Sequence, residues 1–334
     1  VYEIDFIPVG NAGRHGDAIT IRFTRPDNGA IVKLVVDAGF ADTGQAIVDH
    51  IDTWWDTRDV DAVILTHPDT DHIGGMETVL AALNVDFFWV HRIGARGGSS
   101  LPAAEAVEDL MALARSRGAT VEEPFAPASA FGGALQILGP TEDDYEELVR
   151  QQVEEVEGAW AARGRAVVRA ARRFLASLPQ ENRFDDAGGT NPRNNSALVF
   201  LLTVDEVRML FTADAGVPAL NRAWDQLLAS GDAGAAPHFV QIPHHGSRRN
   251  ASSDLLDRIL GPTGQLQTKY AYVNVAPEAV KHPSPRVANG FMRRGYVVAE
   301  TRGGTRLYTG GGFPSRGWAP LTPLQPLDES QEDQ

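Results

Sequence analysis

Four side chains able to hold a metal fall within six residues of one another: His67, Asp69, Asp71 and His72, in the run Thr66-His67-Pro68-Asp69-Thr70-Asp71-His72-Ile73-Gly74-Gly75. They follow the apolar residues 60–65, which read as a short buried strand, and precede a Gly-Gly turn and a helical stretch at 76–83. In α/β folds the strand ends are where ligands are presented. Imidazole nitrogens and carboxylate oxygens suit zinc and manganese, and alternate side chains diverging from one tight loop can feed two ions. The competing account is a charged surface loop at a helix start, with Asp69 or Asp71 as its cap.

The 334 residues include no cysteine. A thiolate site and a disulfide framework are therefore excluded, and ligands must be His, Asp or Glu. Apolar residues make up 43% and charged residues 22%, an ordinary globular mix that supports a sizeable core. Acidic residues exceed Lys and Arg by 44 to 30, for a formal charge of −14. That balance repels polyanions at long range and speaks against non-specific duplex binding. A phosphate substrate stays open, because bound metals reverse the local sign. No run of eighteen apolar residues is present, so no membrane span is expected. The chain opens directly on strand-like residues 1–9, with Val1 first. A soluble, cytoplasmic chain is the expectation, with export left open because the native start is missing.

Strand candidates at 1–9, 18–23 and 31–36, with a turn at Pro26, Asn28 and Gly29, open the chain as an antiparallel sheet rather than a Rossmann unit. Helices at 43–55, 76–83 and 103–117 then alternate with strands at 60–65, 87–90, 120–121 and 135–138. Pairing followed by alternation recurs later, with strands at 197–203, 207–212, 239–242, 270–275, 297–300 and 305–308 and helices at 218–228, 252–260 and 287–294. The predicted class is α/β, an αββα sandwich of two sheets with helices outside. Residues 1–313 form one domain in this scheme. Residues 314–334, with Pro320, Pro323 and Pro326 and an acidic end, form a tail that is extended and partly disordered. Residues 142–178, rich in Ala, Glu and Arg and free of Pro, read as a helical insertion outside the sandwich, interrupted near Gly158 or Gly164. Its charges read as a solvated helix face. The alternative is a basic face, with Arg163, Arg165, Arg169, Arg172 and Arg173, near a substrate entrance.

Several other residues can carry chemistry. Asp214 lies between a strand and a helix, as a helix cap or as a carboxylate that needs a partner. His244 and His245 follow a strand. Neighbouring side chains on a strand point opposite ways, so one ligand is expected unless the strand has ended. His282, before Pro283, is a surface turn residue or a proton donor near neutral pH. Asn274 can hydrogen-bond a substrate oxygen, and Asp37 can steady a histidine of the first motif.

The run His67-x-Asp69-x-Asp71-His72 resembles the His-x-His-x-Asp-His signature of the metallo-β-lactamase-fold hydrolases, with Asp69 where the second His usually stands. Together with Gly74-Gly75, it is similar to the soluble metal-binding domain of bacterial competence proteins for DNA uptake. Other segments follow in the same order: Val9-Gly10 with Gly16-Asp17-Ala18, Asp37-Ala38-Gly39, Asn194-Asn195-Ser196, Thr212-Ala213-Asp214, Pro243-His244-His245-Gly246-Ser247, Asn274, and His282-Pro283. The resemblance implies a metallo-β-lactamase fold holding two divalent ions, Zn²⁺ or Mn²⁺. It places His67 and Asp69 on the first ion, Asp71 and His72 on the second, Asp214 between them, and His244 or His245 in support. Asp69, harder and more anionic than His, favours Mn²⁺. The family's further His between the first motif and the bridging Asp has no obvious match. Its place falls near 194–196, which implies a first ion held by fewer groups, with Asn195 or water assisting. His91, the sole His of that interval, is a pocket residue, a structural residue or a ligand.

The resemblance implies a metal-dependent hydrolase, first of all a phosphodiesterase or nuclease using a metal-activated water, with Asp71 orienting the nucleophile. A small phosphodiester or single-stranded nucleic acid is then the substrate. Arg92, Arg96, Arg248, Arg249, Arg293 and Arg294 offer a local basic track near the motif loops. Hydrolysis of a lactone, thioester or β-lactam is the alternative enzyme, and a non-catalytic binding module the third. Oligomeric state is not legible in the sequence.

Overall fold

The computed structural model describes residues 1–11, 13–163 and 189–330. Among these, two seven-stranded sheets stack face to face. The first runs β14-β1-β2-β3-β4-β5-β6, from Arg306–Gly310, Tyr2–Phe6, Ile19–Thr24, Ile31–Val36, Asp59–Ile64, Asn84–Trp89 and Thr120–Glu122. The second runs β13-β12-β11-β10-β9-β8-β7, from Tyr296–Glu300, Lys269–Val273, Phe239–Gln241, Val207–Phe211, Val199–Val204, Leu135–Gly139 and Ser129–Ala130. Each sheet is antiparallel for three pairings and parallel for the next three. That is the recurrence of pairing then alternation expected from the sequence.

The alternation of side chains along each strand decides the layers. Ile4, Phe6, Phe23 and Leu34 meet Phe200, Phe211, Phe239 and Tyr272 between the sheets. Outside the first sheet, Val35, Val63 and Phe88 pack against Ile47 and Ile51, Val79 and Leu80, and Val107 and Met111. These residues come from the helices Thr43–Trp55, Met76–Ala82 and Ala103–Ser116. Outside the second sheet, Leu210, Val240 and Val273 are covered by Leu220 and Trp224, Leu255 and Ile259, and Val287 and Phe291, from the helices Val217–Ala229, Ser253–Leu260 and Pro285–Arg293. The result is an αββα sandwich. Its central layer is thick with aromatic rings, and truncating one of them, Phe200→Ala, costs on the order of 3–5 kcal/mol.

Two expectations about the periphery change. The helix Glu142–Arg163 runs through Gly158 without a break, because one glycine in a long helix costs only about 1 kcal/mol. It also touches the core: Tyr145 and Val149 are buried, and Val153 and Val156 pack against the same cluster. The rest of the expected insertion, 164–178 with most of its arginines, lies outside the described residues. The tail is extended but docked. The buried Arg316 guanidinium donates to Asp5 at 2.6 and 3.0 Å and to Glu3 at 3.0 Å and lies about 5 Å from the rings of Trp54 and Trp318. Glu3 and Asp5 point away from the inter-sheet layer, so the tail supplies the countercharge that buried carboxylates require. Among the described residues no helix is long and apolar enough to cross a membrane.

Candidate metal centre

The motif residues gather where strands of both sheets end. After β4, Thr66–His72 turns across the end of the first sheet. After β10 comes Asp214, and after β11 the turn Pro243–Gly246. Asp214 is the hub. Its Oδ2 lies 3.8 Å from His67 Nε2 and 3.4 Å from His244 Nε2. Its Oδ1 lies 3.5 Å from His72 Nε2 and 3.8 Å from His245 Nε2. Asp69 Oδ2 is 3.8 Å from His67 Nε2, and Asp71 Oδ2 is 3.6 Å from His245 Nε2. The six side chains thus fall into two arms, His67, Asp69 and His244 on one side of Asp214, and Asp71, His72 and His245 on the other.

The second partner of each imidazole fixes what its Nε2 can do. His72 Nδ1 bonds Asp37 Oδ2 at 2.8 Å. His67 Nδ1 meets the Thr66 hydroxyl at 3.1 Å, and that hydroxyl donates to Asp37. His245 Nδ1 donates to the Asn274 carbonyl at 3.1 Å, and His244 Nδ1 to Asn250 Oδ1 at 3.0 Å. With each proton on Nδ1, every Nε2 turns a lone pair toward Asp214. His67 Nε2, His72 Nε2, His245 Nε2 and Asp214 Oδ1 are all buried without a hydrogen-bond partner. Orphaned polar atoms at such density are costly and are what a set of ligands leaves when its cation is not counted. The donor set therefore fits one or two divalent ions held by nitrogen and carboxylate oxygen. Asp17, His72, Asp214 and His245 each place a ligand atom within 4.8 Å of the others.

In the metal-free protein the same groups hold one another charged. Burial works against the charge on His72, but Asp214 and Asp37 more than offset it and hold the ring well above its ordinary pKa. His245, opposed by burial but facing Asp214 and Asp17, rises to about 9. Asp71, despite burial, falls to about 2 beside His245 and His72. Asp214, despite full burial, is held well below the carboxylate range by His244, His72 and His245.

The second arm differs from expectation at one point. Strand β11 ends at Gln241, and both histidines sit at positive φ, 47° for His244 and 53° for His245. The strand rule of opposite faces therefore no longer applies, and both rings turn inward, one to each arm. His244 fills the place for which a missing middle His left Asn195 or water. Asn195 itself is spent elsewhere: its amide donates to the Thr190 carbonyl and accepts from Gly216 N–H. Asn274 donates to Asp17 at 2.9 Å and accepts from His245 through its backbone carbonyl, while its side-chain Oδ1 is buried without a hydrogen-bond partner. His91 is buried between Phe125 and Tyr145 and bonded to the Pro124 carbonyl. His282 is half-buried beside His15, with ring centroids 4.6 Å apart. Burial, with His15, His245 and His244 nearby, pushes it down to about 3.

Sequence reasoning missed three neighbours. Asp17, buried, accepts from Asn274 and Gln241 and braces the second arm. Arg193 donates to Asp69 at 2.8 Å across 124 residues. His15 lies 5.2 Å from the His245 ring. The Gly16-Asp17-Ala18 segment was the available signal for the first. A lone Arg or His in a polar loop gave none for the others.

A family model described as the metallo-beta-lactamase superfamily matches residues 25–143, the span that carries β3, β4 and the whole first motif. The two-sheet sandwich around that span has the general topology of the metallo-β-lactamase fold. A curated relative, the uncharacterized protein YcaI of Escherichia coli strain K12, is 28% identical over 162 residues, covering 47% of this chain. The chain spans 18% of that relative's length. Among solved structures it is similar to a CmlA β-hydroxylase mutant, at TM-score 0.46 and 13% identity over 92% of this chain and 53% of that one. It is also similar to Zn²⁺-bound PqqB from Methylobacterium extorquens, at TM-score 0.44 and 10% identity over 92% of this chain and all of that one. The site has the character of a metal-dependent hydrolase centre.

Proposed function

We propose that the chain hydrolyses an acyl compound, a lactone, a thioester or a β-lactam, that carries an apolar substituent. The two arms around Asp214 are the observation that makes it a hydrolase. His67, Asp69 and His244 would hold one ion, and Asp71, His72 and His245 the other, with Asp214 shared. Bound there, the ions supply Lewis acidity and a water nucleophilic at neutral pH. The protein's own part is to hold the Nδ1 side of each ring, through Asp37, Asn274 and Asn250, so that each Nε2 is aimed at the centre, and to balance charge with three aspartates.

A cavity supports the acyl substrate. It measures about 470 Å³ and is lined by Pro68, Ile73, Ile93, Leu101, Ala106 and Val156 together with the polar Thr70, Gln152, Glu155, Asn191 and Arg193. A cleft of this size with an apolar wall, reaching Pro68 and Thr70 on either side of Asp69 in sequence, suits a substrate with a hydrocarbon part and a polar reactive group. The test is a turnover panel with Zn²⁺ or Mn²⁺: an acyl lactone, an acyl thioester, a β-lactam, bis-p-nitrophenyl phosphate and single-stranded DNA. Acyl turnover that improves with chain length, and loses that dependence in Ala106→Phe, is expected. Turnover confined to the phosphate substrates would overturn this reading.

A second reading, a phosphodiesterase or nuclease like the competence-type domains, rests on the exposed Arg248 and Arg249 directly after the His244–Gly246 turn. The charge of −14 works against a long polyanion, so a small phosphodiester is its more natural substrate.

A further inference from the structure

We propose that His15 and His282 form a two-imidazole clamp that hydrogen-bonds an anionic substrate oxygen on the Asp71–His245 side of the centre. The oxygen is an oxyanion from an ester or a phosphoryl oxygen; the clamp chemistry is the same for both. The proposal rests on the hydrolase reading of the site.

His15 is fixed by its backbone. A Cβ on Gly10 would meet the Arg14 carbonyl at 1.8 Å, so the loop doubles back on itself there. A Cβ on Gly16 would meet the Asp71 carbonyl at 2.2 Å. Asp17 N–H donates to that same carbonyl at 3.1 Å. The loop is thus pressed on the metal motif, with His15 one residue from the contact. His282 is fixed from the other side. Gly246 has no room for a Cβ against Pro283, at 2.5 Å, Ser284 N–H donates to the Gly246 carbonyl at 2.9 Å, and Arg302 holds the His282 carbonyl at 3.3 Å. Two loops from different sheets therefore bring two rings edge to face, 4.6 Å apart, with His245 beneath His15.

Each ring keeps one nitrogen unengaged. His15 Nδ1 and His282 Nδ1 are buried with no hydrogen-bond partner, while both residues remain half-buried rather than closed off. Neither belongs to the arms around Asp214. An imidazole carries an N–H donor in either protonation state. Two imidazole donors held side by side next to the centre can hydrogen-bond developing negative charge.

The probe is inorganic phosphate, titrated calorimetrically into protein loaded with Zn²⁺, or with Mn²⁺ if zinc does not bind. His15→Ala is expected to weaken phosphate about tenfold, the size of one hydrogen bond to a charged group. The metal content should stay at the wild-type value. His15→Gln, which keeps a donor, should recover most of the affinity and guards against a folding defect in the alanine variant. His282→Ala should behave like His15→Ala. Wild-type phosphate affinity in His15→Ala overturns the clamp, as does wild-type protein that binds no phosphate. Loss of a metal equivalent would make His15 a ligand instead. Absence of turnover on every ester and diester, with phosphate binding still dependent on His15, would reject the hydrolase reading and leave the clamp standing.

Discussion

The two arms around Asp214 use similar ligands in different surroundings. On the inner arm His72 and His245 have side chains 0% and 2% exposed, although Asp71 is 28% exposed. Each is held from behind, His72 by Asp37 and His245 by the Asn274 carbonyl, and Asp17 stands close by. On the outer arm His67 is buried, but His244 is 34% and Asp69 21% exposed, and Asp69 is already engaged by Arg193. An inner site with its ligands pre-aimed loses little entropy on binding an ion. An outer site that must pull Asp69 from an arginine does not share that advantage. Two arms from one motif thus differ in what stands behind each ligand, and we expect them to fill in order, inner before outer.

The largest expected effect is the loss of the shared group. Asp214→Asn removes the carboxylate that faces all four histidines, so both arms should lose their ion. The drop in affinity should exceed the ~10–100-fold that the loss of an outer partner costs, and turnover should vanish with it. Metal analysis after dialysis measures this. Retention of two ions would show that the arms are independent of their hub.

Single-arm variants come next. His72→Ala should abolish the tight binding event, while His244→Ala should leave one tight ion and abolish only the weak one. Calorimetric titration that gives the same stoichiometry for both variants would remove the distinction between the arms. Asp37→Asn should weaken the inner ion by about 10–100-fold, since it loosens His72 without removing a ligand.

The metal-free protein offers a comparison through pH. His245, raised to about 9, and His72, raised well above its ordinary value, bind protons more tightly folded than unfolded. Their contribution is complete below the unfolded value near 6.5 and is lost as pH rises through the folded value. Asp17, raised by burial, acts in the same sense. The metal-free protein should therefore lose thermal stability from pH 7 to 9, whereas metal-loaded protein, whose Nε2 atoms carry no proton, should lose less. A flat profile without metal would contradict the charge pairing.

Much of this was legible in sequence, because hydrophobic period and strand-end position are local. Strand β3 falls at 31–36 as expected, and the helix Thr43–Trp55 likewise. The motif His67 to His72 and the hub Asp214 were visible as types in context. What sequence hid depends on backbone twist or on distance along the chain. Both His244 and His245 face inward only because their φ values are positive. Asn195 was assigned by its place in a motif, and its neighbours Thr190 and Gly216 claim it instead. Arg316 reaches Glu3 and Asp5 across more than 300 residues, a pairing that no local pattern announces.

The smallest expected effect tests the outer arm alone. Arg193 donates to Asp69 at 2.8 Å, but its side chain is 48% exposed. An exposed ion pair is worth roughly 0.2–1 kcal/mol, so Arg193→Ala should change the outer ion's affinity by only about two- to fivefold. The sign carries the information. If Arg193 competes with the ion for Asp69, its removal strengthens the outer ion and leaves the inner one alone. If Arg193 instead holds Asp69 in place for the ion, removal weakens it. The inner arm, backed by Asp37 and Asn274, serves as the internal control. We expect the strengthening, because in the metal-free protein Asp69 Oδ1 already has its cation while Oδ2 stays 3.8 Å from His67. A fall in outer affinity with the inner ion unchanged would make Arg193 part of the site's scaffold, and would erase one of the two differences on which the order of filling depends.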